Sequence, residues 1–309
     1  MIPPANHLRS LAYQTRLWAS GIAVRAGLRS SIDRMLRPRI VGDVPRATAR
    51  DVLRFIQATG GQVDAYRLPD LNLVAPHGWF ATWGSPELLR ALVAAHLPLN
   101  VSHFVHAGSS TRIHRLPPID EPLRFAATVE TVVRTGKRVR IEQNLVTTSV
   151  RGELVAEQAV SIVLPAGPRP WSNPSRRQEP VPESARQLAT HDMAASQGWQ
   201  FATLTGDFNP VHWLPALAKL SGLDGPVAHG FDLFARLGHV AVTELADRHP
   251  ERVRAIEARF RQPICLPARI AILAGAPTPV GAGCLRYPIW IAASPGGTAN
   301  VVAFVEVAS

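Results

Sequence analysis

Phe201–His212 reads FATLTGDFNPVH, and Val227-Ala228-His229-Gly230 follows a short way downstream. The spacing predicts a helix over Ala194–Leu204 that stops at Thr205-Gly206, because glycine is the usual residue just past a helix C-terminus. Pro210 then forbids helix continuation and holds Asn209 extended. Asp207 and His212 are therefore expected on a tight, stiff loop instead of a helix face. A carboxylate and an imidazole held this way can grip one water between them, as general acid–base chemistry requires. Gly, Asp, Asn and Pro are also ordinary turn formers. A bare D-x-N-P would carry no function on its own.

The match runs well beyond four residues. Phe201, Leu204, Thr205, Gly206-Asp207, Asn209-Pro210, Val211, His212 and Ala218, with Val227-Ala228-His229-Gly230 after them, resemble the signature of the MaoC-like or hydratase-2 family. That family comprises (R)-specific enoyl-CoA hydratases and 3-hydroxyacyl dehydratases. The resemblance implies a hotdog fold, a long helix wrapped by a curved antiparallel sheet. It further implies that Asp207 and His212 activate water and exchange protons, and that the Gly230 N–H stabilises a thioester oxygen as it becomes enolate-like. Such a donor at a helix N-terminus suits developing negative charge. Asn209 and Phe231 are the expected substrate-binding neighbours, Asn209 through the shape it gives the loop, and His229 is expected to be structural. The chemistry asks for no metal and no cofactor beyond the thioester substrate itself, carried on coenzyme A or an acyl carrier protein.

The chain has 309 residues, 46% hydrophobic and 18% charged, enough for two ordinary domains. Two cysteines, Cys265 and Cys284, are too few for a disulfide framework or a thiolate-rich zinc site, which suggests a reducing, cytoplasmic setting. Net charge is +10, with Lys137 and Lys219 the only lysines. Neither a zinc-finger spacing nor an aromatic-studded basic stripe points to nucleic acid. The excess suits either an anionic substrate or an arginine-rich proteome. Residues 1–40 are basic, with Leu8, Leu11, Leu17 and Ile22 at roughly helical spacing. Three readings stay open for them: peripheral membrane contact, an organelle-targeting peptide, or a helix packed on the body of the protein or on a partner subunit.

An internal repeat follows. Shifted by 146 positions, Phe55 falls on Phe201, Thr59 on Thr205, Gly60 on Gly206, and Leu68-Pro69 on Leu214-Pro215. His77-Gly78 is read as the echo of His229-Gly230. Gly61 stands at the place of Asp207 and Tyr66 at that of His212, so the first copy keeps the frame and lacks the acid–base pair. Ser85–His96 reads as a helix with Ser85 as N-cap and Pro86 at its first turn. Strands are expected over Ser102–Leu116, Pro122–Thr135, Arg138–Val150 and Glu153–Leu164, with turns at Gly136 and Gly152. The second copy is expected to run from a long helix, Phe231–Asp247, into strands near Val253–Pro263, Ala268–Gly275, Gly283–Ala293 and Ala299–Val307. His103, His106 and His114 are read as surface or satisfied histidines, since odd spacing on a strand points His103 and His106 to opposite faces.

The expected fold class is therefore α+β, a double hotdog with a degenerate N-terminal half. Residues 1–40 form the basic extension, 41–164 the degenerate domain, 165–185 a Pro-rich linker and 186–309 the catalytic domain. A homodimer of such chains is left open. Two rival functions accompany the hydratase: a hotdog thioesterase, and a non-catalytic acyl-thioester-binding or regulatory protein.

Overall fold

The computed structural model describes residues 11–16, 37–69, 72–95, 105–135, 138–165, 178–281 and 283–309. Most of the 1–40 extension, His103 and most of the Pro-rich linker lie outside these residues. Ten strands form one continuous path: β1 Arg39–Asp43, β2 Val105–Ile113, β3 Leu123–Thr135, β4 Arg138–Ser149, β5 Leu154–Pro165, β6 Arg186–Met193, β7 Val253–Phe260, β8 Ala268–Ala274, β9 Cys284–Ala292 and β10 Val301–Ala308. Their order is β1-β3-β4-β5-β2-β7-β10-β9-β8-β6, and a short eleventh strand, Thr278–Val280, pairs with β9. Every pairing is antiparallel. The order is the same read inward from either edge. In each half the strand before the long helix lies outermost, and the first strand after it lies at the centre.

The two halves meet where β2 pairs with β7, from Gly108↔Arg259 to Arg112↔Ala255. Short helices and the two long ones sit on one side of this sheet: α1 Ala49–Ala58, α2 Gly84–Ala94, α3 Gln197–Thr205, α4 Pro215–Leu220 and α5 Gly230–Glu244. Helix α1 starts in a capping box, in which Thr48 and Asp51 satisfy each other's backbone N–H groups. Helix α5 is buried from Phe231 to Val242, apolar except for one stripe formed by Asp232, Arg236 and His239. That is the composition of a helix enclosed by other layers. A single apolar core draws Phe55 and Ile56 from α1, Leu88 and Leu92 from α2, Phe201 from α3, and Phe234 and Leu237 from α5.

The repeat is real, with one correction. Helix α2 starts at Gly84 and α5 at Gly230, and 230 − 84 gives the same shift of 146. Trp83-Gly84 is therefore the counterpart of His229-Gly230, and His77-Gly78 is not. His77 instead bonds the Val253 carbonyl at 3.0 Å, and burial lowers its pKa to about 4. The N-cap of α2 is Trp83, which places Ser85 inside the first turn. Strands β1 and β6 are additions to the sequence expectation, and α3 begins at Gln197, later than expected, because residues 194–196 form the turn that follows β6, with Gln197 N–H donating to the Ala194 carbonyl.

The degenerate loop is closed by side chains from the second half. Tyr66 is fully buried and its hydroxyl lies 2.7 Å from His239 Nδ1, while Thr59 Oγ1 lies 2.7 Å from His239 Nε2. Burial, with Arg236 nearby, lowers the His239 pKa to about 3, so the ring is neutral. Beside it the Asp232 carboxylate meets Arg236 at 3.0 Å, and Gln197 Nε2 donates both to Asp232 and to the Ala58 carbonyl. These bonds tie α1 of the first half to α3 and α5 of the second.

Helix α3 seats the loop that follows it. A β-carbon on Gly198 would run into the His212 carbonyl oxygen, far inside contact distance. Gly198→Ala must therefore push the loop off the helix. The expected result is a loss of ~2 kcal/mol in urea unfolding, in the range of core overpacking. An unchanged midpoint would contradict this close packing.

Candidate active site

Helix α3 ends at Gly206, whose φ of 74° is the left-handed C-terminal geometry that glycine accepts readily. The chain then turns through Asp207–Asn209 into one 3-10 turn, Pro210–His212. His212 thus sits on a short turn, a small departure from the plain loop expected. Local hydrogen bonds fix each functional group. Asn209 N–H donates to Asp207 Oδ1 at 3.2 Å, and the Asn209 side chain caps the turn through Val211 N–H. Asn209 therefore orients Asp207 while also facing the cleft.

The main-chain bonds determine the histidine tautomers. His212 Nδ1 lies 2.8 Å from the Val227 carbonyl, an acceptor, so this nitrogen carries the proton and Nε2 presents a lone pair. His229 Nε2 lies 3.1 Å from the Asp207 carbonyl, which makes it an N–H donor in the same way. The two imidazoles stack at 3.7 Å. Burial is the main cause that lowers the His212 pKa, opposed by the Asp207 charge and the Val227 carbonyl. His229 is pushed well below its ordinary value by burial and by His212. Both rings are neutral near pH 7.

Asp207, His212 and His229 bring ligating atoms within 4.8 Å of one another, so a cation is a competitor for this space. Using His229 Nε2 as a donor removes that nitrogen from any ligand set. What remains are the Asp207 carboxylate and the His212 Nε2 lone pair, an arrangement suited to a water molecule that donates to both, while His229 Nδ1 is buried with no hydrogen-bond partner among the described residues.

Gly230 opens α5, and the first N–H groups of a helix have no intrahelical acceptor. The glycine is required on its other side too. A β-carbon there would collide with His106 Nδ1. His106 comes from β2 in the first half, packs between Phe231 and Phe260 with ring centroids at 4.5 and 4.6 Å, and meets Ser109 Oγ at 2.7 Å. Burial lowers its pKa to about 3. It is a neighbour of the site, which the expectation of an ordinary strand histidine missed. His114 is an exposed partner of Glu157 at 2.9 Å.

A cleft of about 560 Å³, counting its open mouth, runs from Asp207, Asn209 and Phe231 to Leu88 and Leu92 on α2. Its acid–base end comes from the second half and its apolar wall from the first. Beside the cleft lies the short helix over 11–16, from the basic extension, whose Gln14 lines it. Gln14 is buried and donates to the Gly206 carbonyl at 3.2 Å. This segment packs on the body of the protein. Among the described residues no helix is long and apolar enough to cross a membrane.

Comparison with known proteins agrees with this fold. Residues 175–274 match the model of the MaoC like domain. The mouse peroxisomal multifunctional enzyme type 2 is 23% identical over 216 residues, which is 69% of this chain and 28% of that protein. The chain thus spans little more than a quarter of that relative. A 3-hydroxyacyl-thioester dehydratase X of Mycobacterium tuberculosis is 36% identical over 69 residues, 22% of this chain and 23% of that one. Among solved structures, HtdX of Mycobacterium tuberculosis superimposes with a TM-score of 0.67 at 16% identity, covering 87% of this chain and 99% of that one. A second protein from that organism, with a double hotdog fold, gives 0.59 at 13% identity over 88% and 96%. Over residues 175–274 this chain is thus similar to the MaoC like domain, within a double hotdog fold.

Proposed function

We propose that the protein catalyses the reversible hydration of 2-enoyl thioesters to (R)-3-hydroxyacyl thioesters. The observation that carries this reading is the pair of neighbouring acceptors, the Asp207 carboxylate and His212 Nε2, of which Asp207 lines an apolar cleft together with Phe231, the residue after Gly230 at the N-terminus of α5.

In this mechanism one water donates a hydrogen bond to each acceptor, which leaves an oxygen lone pair aimed at C3. The Gly230 N–H holds the thioester oxygen. As the water oxygen bonds to C3, the π electrons move towards C2 and the thioester oxygen gains negative charge, which the helix N-terminus stabilises. One water proton passes to the Asp207–His212 pair and from it to C2, so the addition balances with no other reactant. The reverse sequence is dehydration. The thioester carrier is coenzyme A or an acyl carrier protein, and the net positive charge of the chain suits either. A thioesterase would need the water aimed at the carbonyl carbon. With the carbonyl oxygen at Gly230 and the acyl chain in the cleft, the acceptors face C3 instead.

Two measurements test this reading. Wild-type protein should hydrate crotonyl-CoA to the (R)-alcohol, and Asp207→Asn and His212→Ala should each lower kcat by at least ~100-fold, the ordinary share of a general acid–base group. Retention of activity in either variant would contradict the assignment. The pH profile gives the second. Neutral His212 is the working form and its pKa lies below the ordinary 6.5. Activity should therefore be full near neutrality and fall only below pH 6.5, as the imidazole gains its proton. Activity that instead falls as pH rises through this range would mean that the imidazolium is the active form.

A further inference from the structure

The acyl cleft is not uniformly apolar. Leu88, Leu92, Val160 and Phe231 line it together with Ser85 and Gln143. Ser85 is 6% exposed, and its Oγ is buried with no hydrogen-bond partner among the described residues. Gln143 is 2% exposed. Its Nε2 donates to the Leu88 carbonyl at 2.8 Å, which fixes the amide plane and so the direction of Oε1. One wall thus offers a hydroxyl that can donate and an amide oxygen that can accept.

The internal repeat makes the serine conspicuous. Ser85 stands one residue into α2, and its counterpart across the shift of 146 is Phe231, one residue into α5. The two halves therefore present opposite chemistry at equivalent places in one cleft. A serine here does not stabilise the helix, since Trp83 is the N-cap and Ser85 makes no side-chain bond. The buried Ser85 hydroxyl is left unsatisfied against a purely apolar guest, and a guest that pairs it recovers that loss.

We infer that the cleft takes acyl chains bearing a hydroxyl group, which accepts a hydrogen bond from Ser85 Oγ and donates one to Gln143 Oε1. A hydroxyl can both accept and donate, whereas a ketone could use only the serine. The inference rests on the hydratase reading, since it assigns the cleft to the acyl chain of an enoyl thioester. A site built to hydrogen-bond a substrate hydroxyl discriminates against the analogue that lacks it, because its own polar groups are then left unpaired.

The test compares wild type and Ser85→Ala on 2-octenoyl-CoA and on its isomers carrying one hydroxyl at successive distal carbons. The expected result is at least one hydroxylated isomer ahead of the parent in kcat/KM by ~10-fold in the wild type, in line with one recovered buried hydrogen-bond pair. Ser85→Ala should bring that ratio down to about one. Gln143→Met, which keeps the bulk of the wall, is the second variant and should lower the ratio as well. A ratio near unity for every isomer in the wild type, or one that survives in Ser85→Ala, would overturn the inference and leave the hydratase reading standing. If the folded wild type turned over neither the parent nor any isomer, both would fall.

Discussion

The antiparallel seam between Gly108–Arg112 of β2 and Ala255–Arg259 of β7 is the interaction on which the rest depends. It joins two half-sheets of the same topology edge to edge and so places their long helices side by side in one core. Without it, Asp207 and His212 would face solvent with no wall for an acyl chain. With it, α2 of the first half lies across the cleft from the Asp207–Asn209 loop of the second, and His106 of β2 reaches the first residue of α5. The site is therefore a property of the pairing and of neither half alone.

The first half supplies structure at the place where it lacks chemistry. Gly61 and Tyr66 occupy the positions equivalent to Asp207 and His212, and His239, Tyr66 and Thr59 fill the space with a closed hydrogen-bonded cluster. The buried Asp232–Arg236 pair next to it is bonded on several sides, by Gln197 and, through Arg236, by His191. Removing one partner of such a pair leaves an uncompensated buried charge. The plugged loop and the paired charges hold the halves in register, while the groove along α2 stays open towards Asp207.

Much of this was legible from residues. The Asp207–His212 loop, both long helices and eight of the ten path strands follow from glycine and proline punctuation and from apolar periodicity. The edge strands Arg39–Asp43 and Arg186–Met193 were not, since both are largely exposed and polar, and only pairing to a neighbour makes them strands. The alignment of His77-Gly78 with His229-Gly230 failed because dipeptide likeness was set above a constant shift. Holding the shift at 146 selects Gly84, as the geometry of α2 requires. His106 was missed for a different reason. Alternation along a strand gives the face on which a side chain lies, but not which distant helix packs against that face. Gln14 on the Gly206 carbonyl is likewise a long-range contact with no local signature.

The most direct test of the two-half site is a crystal structure of the Asp207→Asn variant with a bound 2-enoyl-CoA. The account predicts the thioester oxygen at the Gly230 N–H, C3 facing His212 and the substituted side chain at position 207, and the acyl chain along Leu88 and Leu92 of the first half. An acyl chain that leaves the α2 wall empty, or a thioester seated at Tyr66 and His239, would contradict it.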